Sequence, residues 1–215
     1  MTASLIALLA VVGAPSDAEL QARVVGAGVR VGLLPGEAGD LSEPVGAGMG
    51  VRIRVRPPSR GSFVGEIAVE HDRFGRTVAV EVELEDERGL PSGERIELFR
   101  AQRLTLTRML AGVGWAPQGR RVQGRVAVMG GAALAFFLHP GANPTSVSRW
   151  KALARADAAV AVKVVRRTWV ELSVEWNVLG PDSEEEMDFG APGGAKGVRP
   201  FGDYGVAGVS ALYAF

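Results

Sequence analysis

The chain has 215 residues, 24 Lys and Arg against 24 Asp and Glu, and no cysteine. An even charge argues against a nucleic-acid or anionic-surface binder working through bulk field, and zero Cys excludes a disulfide framework or thiolate site. Hydrophobic residues reach 47%, yet beyond the N-terminus they never run together long enough for a spanning helix.

Met1 to Ala14 holds a short apolar core of the length of a secretory h-region, too short for a stable spanning helix. Ser16-Asp17-Ala18 then offers small residues for cleavage before Glu19, although no Lys or Arg precedes the apolar core. The expectation is a signal peptide over 1–18 and one domain over 19–215.

From residue 23 the period is two. Val25, Ala27, Val29, Val31 and Leu33 alternate with Gly26, Gly28, Arg30 and Gly32. Val45, Ala47, Met49, Val51, Ile53 and Val55 alternate with Gly46, Gly48, Gly50, Arg52, Arg54 and Arg56. A third segment sets Phe63, Ile67 and Val69 against Ser62, Glu66 and Glu70. Next, Val78, Val80, Val82 and Leu84 alternate with Ala79, Glu81, Glu83 and Glu85; Ile96 and Leu98 follow a Gly89 to Gly93 turn. This stretch predicts a hairpin extending strands three and four; counted as separate strands it would raise the total to ten.

Residues 103–115 place Leu104 and Leu106 on one parity and Met109, Ala111, Val113 and Trp115 on the other, which predicts a bulge near Thr107-Arg108. Val122, Val126, Val128, Ala132, Leu134 and Phe136 then oppose Arg121, Gln123, Arg125, Ala127 and Met129. Ala156 to Val164 and Val170 to Val178 alternate in the same way, and a last strand runs from Tyr204 to Phe215.

Alternation does not say which face is outside, since a soluble barrel with an apolar interior has the same string. The connections are more informative. Residues 57–61, 116–119 and 165–167 are short; the links near 35–44, 72–102, 139–155 and 179–203 are long, and short and long alternate strictly. The expected fold is all-β: a transmembrane antiparallel up-and-down β-barrel of about eight strands, with short periplasmic turns and long external loops. Trp115, Trp169, Tyr213 and Phe215 near the short turns, and Trp176 and Tyr204 at the other rim, predict aromatic girdles.

The C-terminal Gly208-Val209-Ser210-Ala211-Leu212-Tyr213-Ala214-Phe215 ends an alternating strand on an aromatic. With that strand, the chain resembles the small outer-membrane barrels of the OmpA, OmpX and OmpW type. The resemblance implies residence in the bacterial outer membrane, contact with its lipid and lipopolysaccharide, and recognition of Tyr213 and Phe215 by the barrel-assembly machinery. Ser210 stands where such strands more often carry Gly.

An outward apolar parity leaves Arg30, Arg52, Arg54, Arg56, Glu66, Glu70, Arg121, Arg125, Asp157, Lys163, Glu171 and Glu175 facing the lumen, where opposite charges must pair. Eight strands leave an interior just wide enough for side chains to fill, so this charge network predicts a plug; a narrow conduit lined by the arginines is the alternative. Nothing predicts catalysis: His71 and His139 are the two histidines, and neither sits in a nucleophile–base pattern. No metal or cofactor site is expected, because Glu184 to Asp188 lacks calcium-loop spacing and Gly193 to Gly197 precedes no helix. Ser146 to Arg155, with Trp150 between Arg149 and Lys151, is expected to form a short amphipathic piece at the membrane surface or a contact patch. The function expected is structural or surface-interacting, through long loops toward an unidentified ligand.

Overall fold

A computed structural model describes residues 18–31, 45–56, 61–85, 91–117, 119–139, 145–180 and 203–214. They form β1 (Ala18–Val31), β2 (Val45–Val55), β3 (Phe63–Glu85), β4 (Pro91–Trp115), β5 (Val122–His139), β6 (Thr145–Val165), β7 (Thr168–Leu179) and β8 (Tyr204–Ala214). Each strand pairs antiparallel with its sequence neighbour, and β1 pairs with β8, so the sheet closes as a barrel of eight strands. Closure leaves no wall edge without hydrogen bonds, a requirement where no water is present to satisfy one.

Three connections fall at one end: those between β2 and β3, β4 and β5, and β6 and β7, where Arg166 and Arg167 make the turn. Gly61, at φ 57, opens β3 with backbone that side-chain-bearing residues adopt at a cost. Arg56 clips two of these turns together, donating to the Gly61 and Ala116 carbonyl oxygens at 2.8 Å each.

At the opposite end, the described residues continue as strand. β3 and β4 pair without interruption from Phe63↔Trp115 to Glu83↔Arg95, so residues 76–85 and 91–102 form a two-stranded ribbon in continuation of the wall. β2 accompanies β3 only as far as Phe74, and β5 accompanies β4 only as far as Arg103. Of the expected link at 139–155, the described residues are likewise strand: β5 and β6 pair up to His139↔Thr145, and Ser146 to Arg155 is the upper half of β6, not a separate surface piece. Alternation there is blurred because small and polar residues share the outward parity, which hides a strand from a period-two reading.

The rows of paired residues climb around the barrel. From Val55 near the turn end of β2, the row passes Gly65, Val113, Val128, Ala156, Trp176 and Gly205 to Val31 at the loop end of β1. This stagger is the strand tilt that closure requires. The expected bulge at Thr107-Arg108 is absent, since the β4 register runs unbroken on both sides.

Candidate functional site: the charged lumen and the ribbon above it

On the barrel wall, period two sorts side chains into opposite environments. Val128, Val174, Leu172, Val113 and Ile67 face out and are exposed, while Arg52, Arg54, Glu66, Glu70, Arg125, Asp157, Glu171 and Glu175 are buried within. Burying so many charges is costly unless each is paired and hydrogen-bonded, and the geometry supplies the pairing.

Glu66 takes Arg54 Nε at 2.9 Å on one oxygen and Arg125 Nη1 at 2.9 Å on the other. Arg125 reaches on to Asp157 at 2.9 Å, and Asp157 meets Arg155 Nε at 3.1 Å. Arg155 donates to Glu70 at 2.6 Å, and Arg108 approaches the same Glu70 oxygen at 3.0 Å. Arg108 also binds Asp72, Glu175 at 3.1 Å and the Asn177 side-chain oxygen at 3.2 Å. Arg52 spans the layer, touching Glu171 at 3.4 Å and Glu70 at 3.7 Å. The network thus joins side chains from β2, β3, β4, β5, β6 and β7.

Glycine makes room for it. A Cβ on Gly48 would fall on the Asp72 carboxylate, and one on Gly50 would lie 2.9 Å from Glu70 Cγ. The lumen-facing glycines of β2 are where the carboxylates of β3 lie.

Some sequence expectations do not hold, one does, and others fall outside the described residues. Arg56 sits at the turn rim on backbone oxygens, beyond the ion-pair layer. Arg121 and Lys163 are exposed at the turn end, where water solvates them at no burial cost; Lys163 Nζ lies 5.6 Å from the Trp169 ring centroid. Arg30 is opposite Val206 in register, and its side chain lies outside the described residues. Trp169 and Tyr204 are not girdle residues: both are buried inside, on the parity of Glu171 and Val206. Trp115 does face outward at the turn end. Phe215 and the segments 184–188 and 193–197 lie outside the described residues.

Sequence reasoning missed Asp72, Arg108 and Arg155, although Arg108 and Arg155 are among the largest fully buried side chains. It also missed that the interior turns apolar toward the loop end, where Phe74, Leu104, Leu106, Phe137, Leu179 and Tyr204 pack together. Ala161, Trp169 and Leu212 form a smaller apolar cluster at the turn end. The ion-pair layer is therefore sandwiched.

Above Phe74 the alternation changes sign. In the ribbon, Val82, Leu84, Ile96 and Leu98 share the inward parity and are half-buried, and Glu81, Glu83, Arg95 and Glu97 stand exposed outward. Phe99 is 74% exposed among them. At the changeover, His71 Nδ1 lies 2.9 Å from Thr107 Oγ1 on the outer face. No group of three metal-ligating side chains occurs among the described residues.

No protein-family model and no curated protein sequence matches the chain. Among solved structures, it is similar to Ail, the attachment invasion locus protein of Yersinia pestis, in complex with the heparin analogue sucrose octasulfate. That match has 12% identity, 92% coverage of this chain, 97% of the other and a TM-score of 0.45. Ail in a phospholipid bilayer nanodisc gives 14% identity over 93% and 100% of the chains, with a TM-score of 0.39. The outer membrane protease OmpT of Escherichia coli gives 8% over 94% and 98%, with a TM-score of 0.36. Identities this low set up no residue-by-residue correspondence, so no residue role passes from those proteins to this chain.

Proposed function

We propose that this protein is an integral barrel of the bacterial outer membrane, plugged by its own ion pairs, whose contacts with other molecules are made by the β3–β4 ribbon. The observation that carries the membrane reading is the inversion of inside and outside. Large apolar side chains ring the wall, Val174 being 63% exposed, while Arg155 is 1% exposed inside. A water-soluble barrel has the reverse arrangement, and an apolar surface of this extent exceeds what soluble monomers expose. The same observation disfavours the other reading of the alternating string, a soluble exported barrel that carries lipid in an apolar interior.

A plug is favoured over a conduit because lining residues of a water-filled path keep accessible surface. The side chains of Arg52, Arg108, Arg155, Glu66 and Asp157 keep 5% or less. Residues 1–18 serve as the export signal in this reading, and Tyr213 and Phe215 as the assembly signal, with membrane lipid and lipopolysaccharide around the wall. The ribbon supports an interaction role rather than a catalytic one: beyond Phe74 and Arg103 neither of its edges is paired with a neighbouring strand among the described residues, and such an edge is the surface that accepts an added strand.

The test is mobility on a cold detergent gel, boiled against unboiled, with fractionation of the envelope. A heat-modifiable band in the outer-membrane fraction is the expected result. A soluble protein with no mobility shift would reverse the assignment of faces.

A further inference from the structure

Resting on that membrane reading, we infer that the lipid boundary on the loop side is uneven, standing high against β5 and β6 and low against β3 and β4. Acyl chains, not water or a protein partner, cover the upper outer face of β5 and β6. On β3 the outward apolar residues end at Val69, and His71 and Arg73 follow. On β4 they end at Met109, and Thr107, Thr105 and Arg103 follow. On β5 the outward parity carries no polar side chain from Val122 to Leu138, and on β6 none from Val164 to Trp150.

Strands rising about 3.3 Å per residue and tilted 35–45° give the β3 belt roughly 15 Å of height and the β5 belt roughly 40 Å. A typical belt is about 25 Å tall. One flank is short and the adjacent flank is long.

Register sharpens the contrast. Thr105 pairs with Phe136, and Arg103 with Leu138. Because the rows climb from β2 through β8, Phe136 lies further from the turn end than Thr105. An upright barrel in a level bilayer would place Phe136 above Thr105, yet Phe136 is the apolar one of the pair. The boundary chemistry agrees on both flanks. Trp150, an amphipathic ring that is 60% exposed, closes the tall flank just before Ser148. The His71–Thr107 pair and two outward guanidinium-bearing residues, Arg73 and Arg103, close the low one.

Lipid is the occupant because the β5–β6 strip is continuous with the belt. A separate docking patch above the membrane would be divided from the belt by outward polar residues at headgroup level; β5 has none up to Leu138, and β6 has none below Ser148, the partner of Phe136. Leaning the barrel, or thickening one side of the leaflet and thinning the other, relieves such mismatch at modest cost; either gives the same boundary.

The absence of native cysteine makes the test clean. Single nitroxides are attached at Thr105→Cys, Phe136→Cys and, as a mid-belt control, Val128→Cys, in the full chain folded into phospholipid vesicles and verified by heat-modifiable mobility. Collision with oxygen, which partitions into acyl chains, is compared with collision with a water-soluble nickel chelate. The expected oxygen-to-nickel ratio at 136 matches that at 128 and is several-fold above that at 105. Equal ratios at 105 and 136, with 128 lipid-immersed, would overturn the uneven boundary. A nickel-accessible 128 would instead overturn the membrane reading itself. The next pair, Arg103→Cys and Leu138→Cys, repeats the comparison if either first variant fails to fold.

Discussion

Two stretches of the same strand teach the most about this molecule. Between Phe63 and Asp72, β3 turns Ile67 and Val69 outward and Glu66, Glu70 and Asp72 inward; between Thr77 and Glu85 it turns Glu81 and Glu83 outward and Val82 and Leu84 inward. The register with β4 is unbroken from Phe63 to Glu83. No residue is inserted and no face is swapped; in the proposed membrane reading, the solvent outside changes from lipid to water. Polarity therefore reports environment, and only the pairing register reports direction.

The largest effect that could break this comparison lies in the wall. Glu70→Ala strips the shared partner of Arg155, Arg108 and Arg52 and should cost about 3–5 kcal/mol, because it leaves buried charge uncompensated; urea titration of the vesicle-folded protein measures it. Val174→Arg should cost about 2–4 kcal/mol at mid-bilayer on the lipid face, read in the same titration. Thr77→Arg, an outward substitution on the exposed part of the ribbon, should change stability by less than about 0.5 kcal/mol. If both Arg substitutions cost the same, the two stretches do not face different solvents. Smallest of all, Glu81→Gln removes the Arg95–Glu81 pair, whose side chains are 67% and 72% exposed; its expected effect lies within about 0.5 kcal/mol.

Strand number, closure and the outward face were legible because a tilted wall strand with an apolar outer face and a charged inner one alternates cleanly, as β2 and β7 do. Arg52, Arg54, Glu66 and Asp157 followed from the same parity. The failures share one cause. Leu104 and Leu106 face inward on the parity of Arg108, into the apolar upper lumen, so the phase change in β4 mimics a bulge and conceals Arg108. Arg155 was hidden in the same way, because the upper half of β6 does not alternate and its strand is invisible to period two. Trp169 and Tyr204 were misplaced since an aromatic at a strand end suits either an interface or an interior cap, and parity against Glu171 and Val206 is what separates them. Arg121 and Lys163 have the inward parity by count, but at the turn end water reaches either face.

A nitroxide scan along β3 from residue 63 to residue 85 tests the central claim most directly. The account predicts oxygen-rich collisions at 63, 67 and 69, protection from both reagents at 66, 70 and 72, and nickel-rich collisions at 77, 81 and 83. Protection at 63, 67 and 69 with nickel access at 66 and 70 would show an apolar interior and a charged exterior, and would contradict the account.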